Sequence, residues 1–171
     1  MLRTFTTLVE AAECLGWPGD VVGPISFGGT RCWAVVQVTP ATASDRDLAR
    51  VTLVGCLFTG SDHCNLLQEA SLVAAYAPRA VLIAERGDLT QLLVDAAFLD
   101  QGVVAYGSDG VRLLAEAGPR VAQGPISGRE RELLDAVFSA WRAAQPVARW
   151  DDQAVLAAQA FSEAGSFKAT R

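Results

Sequence analysis

Two short apolar runs flanking a helix-patterned segment constrain this chain more than any other feature. Ala80-Val81-Leu82-Ile83-Ala84 stops at a polar break, Glu85-Arg86-Gly87-Asp88. Leu89, Leu92, Leu93, Ala96 and Ala97 then recur at helical spacing, with Leu99 alongside. A second run follows, Gly102-Val103-Val104-Ala105-Tyr106-Gly107. Uninterrupted apolar runs this short read as strands covered on both faces. Strand, helix and strand in that order make a βαβ crossover, which demands parallel pairing and a right-handed connection. The expected fold class is therefore α/β, a mixed central sheet with flanking helices.

The chain upstream supplies more strands. Residues 3–15 suit a helix with Phe5, Leu8, Val9, Ala12 and Leu15 on one face, stopped by Gly16 and Pro18. Two β-prone pieces, Val21-Val22 and Ile25-Ser26-Phe27, lie among Gly-Pro-rich stretches, and Gly28-Gly29 reads as a tight turn. Arg31 to Thr39, rich in β-branched residues and closed by Pro40, reads as a central strand. Ala41 to Asp47 is a polar loop. Val51 to Phe58 suits a buried strand or a buried helix started by Ser44 or Asp45, and its Val and Thr content favours the strand. Ser61 or Asp62 caps a helix that turns Leu66, Leu67, Ala70, Val73 and Ala74 inward and ends before Pro78.

Downstream, Ser108-Asp109-Gly110 is a turn signal, and Val111 to Ala117 is a short helix or the second arm of a hairpin. Residues 122–126 look like a linker. Ser127 with Glu130 forms a capping box ahead of Leu133, Leu134, Val137, Phe138 and Trp141. Pro146 breaks that helix, and Asp151 or Asp152 can start another carrying Val155, Leu156 and Phe161; residues 164–171 are expected to fray. This divides the chain into an α/β core domain, 1–120, and a C-terminal helical appendage, 121–171, that packs on the core or forms an interface. The interface candidates are Leu134, Phe138, Trp141 and Trp150, flanked by Arg142 and Arg149, since Trp and Arg are favoured at binding hot spots.

Composition narrows the function classes. The 171 residues suffice for one domain with a proper core. No apolar stretch is long enough to span a bilayer, and Met1-Leu2-Arg3-Thr4-Phe5 lacks the apolar centre of a signal peptide. The cysteines at 14, 32, 56 and 64 have no paired short spacing and read as reduced, mostly buried thiols of a cytoplasmic protein. The net charge of -5 disfavours nonspecific nucleic-acid affinity, which needs cations on phosphates, though it leaves room for a local Arg patch.

The element order, together with Leu8 to Trp17 (LVEAAECLGW) and Val35 to Thr39 (VVQVT), resembles the restriction-endonuclease-like, PD-(D/E)XK fold in its Mrr-type branch. The likeness spans roughly residues 5–117 and extends to AVLIAERGDLTQLLVDAAFLDQGVVAYG as that family's strand, helix and strand. It implies a catalytic strand with Gln-x-Lys, an acid on the preceding hairpin, and a divalent cation such as Mg²⁺ held between them. Gln37 takes the ligand position, and Asp20 or Asp45 would supply the acid. Thr39, however, stands where the lysine belongs, and the only lysine is Lys168, in the tail. A threonine hydroxyl brings no charge to a transition state. If residues 50–58 are the equivalent strand instead, the motif positions are apolar.

The resemblance therefore implies a non-catalytic interaction module with no cofactor, engaging a protein partner or a second copy, accessory to nucleic-acid processing or phage defence. The alternative is a metal-dependent DNA nuclease using Gln37 with Asp20 or Asp45. A third reading is a small-ligand site at Glu85, Arg86 and Asp88, beyond the carboxyl ends of the sheet, where Asp88 otherwise serves as a helix N-cap. His63-Cys64 with Cys56 is thin for zinc, and adjacent helical residues diverge by about 100°, so His63 is no base for Cys64. No dinucleotide or phosphate loop occurs.

Overall fold

The structure is a computed structural model that describes residues 2–39, 50–120 and 127–144. Its elements follow the chain as α1 (Leu2–Cys14), β1 (Asp20–Phe27), β2 (Thr30–Thr39), β3 (Arg50–Thr59), α2 (His63–Ser71), β4 (Arg79–Ala84), α3 (Thr90–Phe98), β5 (Gly102–Gly107), β6 (Gly110–Ala115) and α4 (Gly128–Ala144). The six strands form one mixed sheet in sequence order. β1, β2 and β3 are successively antiparallel, β3, β4 and β5 are parallel, and β6 returns antiparallel. The expected α/β class and the parallel crossover from β4 through α3 to β5 are both present.

Each ambiguous stretch resolves for a local reason. Residues 50–59 form a strand, because Cys56, Leu57 and Phe58 need cover from both faces of the sheet and all three are fully buried. Asp62, rather than Ser61, caps α2, its carboxylate accepting the Asn65 N–H at 3.3 Å. Val111 to Ala115 is the second hairpin arm, joined to β5 by a two-residue turn. The two β-prone pieces before Gly28 are one strand, interrupted by a bulge at Gly23 and Pro24, where an edge strand tolerates proline. The polar loop, the linker and the second C-terminal helix read from the sequence lie outside the described residues.

Helices cover both faces, making three layers. On one face α1 buries Leu8, Ala11 and Ala12 against Val21, Val35, Leu57, Leu82 and Val104. Phe5 departs from the expected face: it is exposed and meets Trp33 edge-on at 6.3 Å. The opposite face carries α2, α3 and α4, with Leu66, Val73, Leu92, Leu133, Val137 and Trp141 in one core with Phe58, Val81 and Val103. The described part of the C-terminal appendage thus shares the main core.

Two buried polar groups that the sequence pattern did not mark tie this face together. Gln101 donates to the Leu67 carbonyl at 2.8 Å and to Ser71 Oγ at 2.9 Å, fastening β5 to α2. Arg79 donates from Nη2 to the Leu99 carbonyl at the end of α3, where the helix dipole favours a cation. Burial lowers its pKa, opposed by the nearby charge of Asp100.

Candidate functional site

β2 determines where the nuclease-like residues lie. Cys32, Ala34 and Val36 face α2–α4, whereas Trp33 and Val35 face α1, so alternation turns Gln37 to the α1 side, where it is exposed. Asp20 is the register partner of Val36 and so turns to the opposite face. The two side chains sit on different sides of the sheet, and Gln37 lies beside Thr52 of β3 instead. As positioned, Gln37 and Asp20 do not fit one cation. Asp45 lies outside the described residues. Among the described residues, no group of three or more His, Cys, Asp or Glu side chains could hold a metal ion.

The polar cluster beyond β4 spends its groups locally. The Glu85 carboxylate pairs with Arg112 of β6, and its N–H donates to the Tyr106 carbonyl at 2.9 Å. Asp88 accepts from the Thr90 N–H at 2.9 Å and Thr90 Oγ1 at 2.6 Å. These bonds hold its carboxyl below the usual range. The N-cap position belongs to Leu89, so Asp88 sits one residue before it rather than on it. Arg86 is exposed. Glu85 and Asp88 therefore engage different partners, Glu85 on β5 and β6 and Asp88 at the start of α3.

His63 opens α2 half-buried and Cys64 is exposed, while Cys56 is fully buried in the core. A hydrogen bond with Cys32, then burial, pushes the Cys56 thiol well up.

The apolar stripe on α4 divides. Ser127 Oγ accepts the Glu130 N–H at 3.1 Å, as a capping box requires, but the buried Glu130 carboxylate turns to Arg120 at 2.9 Å. Leu133, Val137 and Trp141 point into the core, and Leu134 and Phe138, about 100° round the helix, point along the sheet toward β3. Leu134, Val137 and Phe138 with Val51 and Leu53 line a cleft of about 210 Å³, which Asp135 edges. Phe138 remains 40% exposed; its ring centroid is 5.7 Å from that of Trp141, and the Arg142 guanidinium lies 5.8 Å over it.

Sequence pattern missed the β3 wall of this cleft. Val54 is an extra residue between two register pairs, Val35 with Gly55 and Val36 with Leu53. The bulge resets alternation, so that Leu53 and Val51 face α4. Trp150 lies outside the described residues. Compared with known proteins, the chain matches no family model, no curated protein and no solved structure.

Proposed function

We propose that this protein is a non-catalytic interaction module on a restriction-endonuclease-like scaffold, accessory to nucleic-acid processing or phage defence. The observation that carries the reading is the cleft between β3 and α4: an apolar trough walled by Val51, Leu53, Leu134 and Val137, with the part-exposed Phe138 in its lining. A concave apolar surface with an aromatic anchor and charged groups at its rim suits an amphipathic helix. Its occupant would present apolar residues at i and i+4, with a cation toward Asp135. Two further observations support the scaffold and its loss of chemistry. The elements run helix, hairpin, strand, helix, strand, helix, strand across a sheet in sequence order. Gln37 and Asp20 face away from each other, and Thr39 supplies no cation.

Displayed amphipathic-helix libraries, selected on the wild type and counter-selected on Phe138→Asp, test the binding half. Enriched sequences should carry paired apolar anchors and fail on the variant. Supercoiled plasmid with Mg²⁺ or Mn²⁺ tests the other half. It should stay intact, and cleavage that Gln37→Ala abolishes would overturn the reading.

A further inference from the structure

We propose that the helix seated at the rim of this cleft is α4 of a second copy of the chain, crossing antiparallel about a two-fold axis level with residues 138 and 139. The proposal rests on the reading that the cleft takes an amphipathic helix, and it names where that helix comes from. The occupant presents apolar residues at i and i+4 and a cation toward Asp135. α4 carries that pattern itself, in Leu134, Phe138 and Arg142. Leu133, Val137 and Trp141 hold α4 on the core. Asp135, Phe138, Ser139 and Arg142 are spaced i, i+3, i+4 and i+7, so they form one patch on the side away from the core, and all four reach solvent.

A single axis serves every contact in this patch. Asp135 and Arg142 lie about 5 Å on either side of the level between residues 138 and 139. The two-fold therefore sets Asp135 against the partner's Arg142, and Arg142 against the partner's Asp135. The same axis brings the two Phe138 rings to within about 1.5 Å of one level, on the cleft side of the crossing, with the small Ser139 side chains on the other. Like charges stay apart, the two Asp135 carboxylates by about 10 Å along the helices and the two Arg142 guanidinium groups likewise. Arg142 already lies 5.8 Å over its own Phe138 ring, so in the pair one guanidinium serves both that ring and the partner's carboxylate. Beyond the patch the outward side of α4 is polar, with Arg131 and Glu132 exposed, which keeps the contact small.

A single helix crossing offers less area than a standard interface, so the pair should be weak, with Kd on the order of 10–100 µM. Sedimentation equilibrium on the full chain, from about 1 to about 500 µM, reads this directly. The wild type should pass from monomer to dimer within that range. Asp135→Arg and Arg142→Asp each set like charges across the axis and should weaken association at least about tenfold, with unchanged circular dichroism spectra. Mixed together, the two variants restore both ion pairs and should associate with each other as the wild type does with itself. Phe98→Asp, at an 88% exposed site on α3, should dimerise like the wild type. A wild type that is monomeric at the highest concentration overturns the proposal, as do single variants that dimerise undiminished or a mixture that stays monomeric. A designed amphipathic helix that binds such a monomeric wild type, and fails on Phe138→Asp, leaves the reading of the cleft standing while the second copy falls. A wild type that dimerises with this charge pattern but ignores the designed helix supports the pair and removes the foreign partner.

Discussion

Leu133→Ala tests whether α4 belongs to the core or merely rests on it. Leu133 has no exposed surface and packs from the first half of α4 into the same cluster as the central strands. Truncation removes about three carbon groups, worth roughly 2.4 kcal/mol in transfer free energy at about 0.8 kcal/mol each. The residual cavity adds to this, since α4 is pinned on either side by the Arg120–Glu130 pair and by Trp141 and cannot collapse inward freely. The expected loss is about 3–4 kcal/mol, a large share of the ~5–15 kcal/mol that holds a typical domain. For a chain of this size it should lower Tm by roughly 10 °C. Urea and thermal unfolding at dilute protein measure it, with Phe98→Ala as a control that should stay within ~0.5 kcal/mol of the wild type. A Leu133→Ala loss also below ~0.5 kcal/mol would refute the shared core and make α4 a separable appendage.

Three further outcomes follow from backbone, thiol and ion-pair geometry. Gly19 has φ +128°, and a Cβ there would lie 2.1 Å from the Val36 carbonyl oxygen, so Gly19→Ala should cost more than about 2 kcal/mol in urea unfolding. Gly29→Ala, also at positive φ but in open space, should cost only about 1 kcal/mol. The unfolded chain releases the Cys56 proton near pH 8.5, whereas the folded protein holds it to higher pH. Its contribution is therefore full below that pH and declines above it by up to about 1.4 kcal/mol per pH unit, a slope that Cys56→Ala should lessen in unfolding between pH 7 and 10. Glu130→Ala removes a buried carboxylate from a partly exposed Arg120 and should cost about 1–2 kcal/mol, with little salt dependence of the loss.

The fold was legible where one physical signal dominated. The runs at 80–84 and 102–107 are covered on both faces, so their composition alone announced parallel strands, and Ser127 marked the start of α4 by its hydroxyl. Residues 51–58 were harder, since a segment buried on both faces carries no period to separate strand from helix. The cleft was half legible. Leu134 and Phe138 announced themselves as part of a wide stripe, but Val51 and Leu53 join them only through the Val54 bulge, which no local pattern betrays. Asp20 was paired with Gln37 only as the nearest acid, since residues 25–32 carry none. Only the pairing of Asp20 with Val36 reveals that they occupy opposite faces.

The most direct test is where a bound helix touches the protein. A designed amphipathic helix with Leu and Phe at i and i+4 and a lysine on its rim, titrated into the isotope-labelled chain, should shift the amide resonances of Val51, Leu53, Leu134, Val137 and Phe138. Those shifts should vanish in Phe138→Asp. Shifts gathering instead around Gln37 and Thr52 or at residues 85–88, or no saturable shifts at all, would contradict the account.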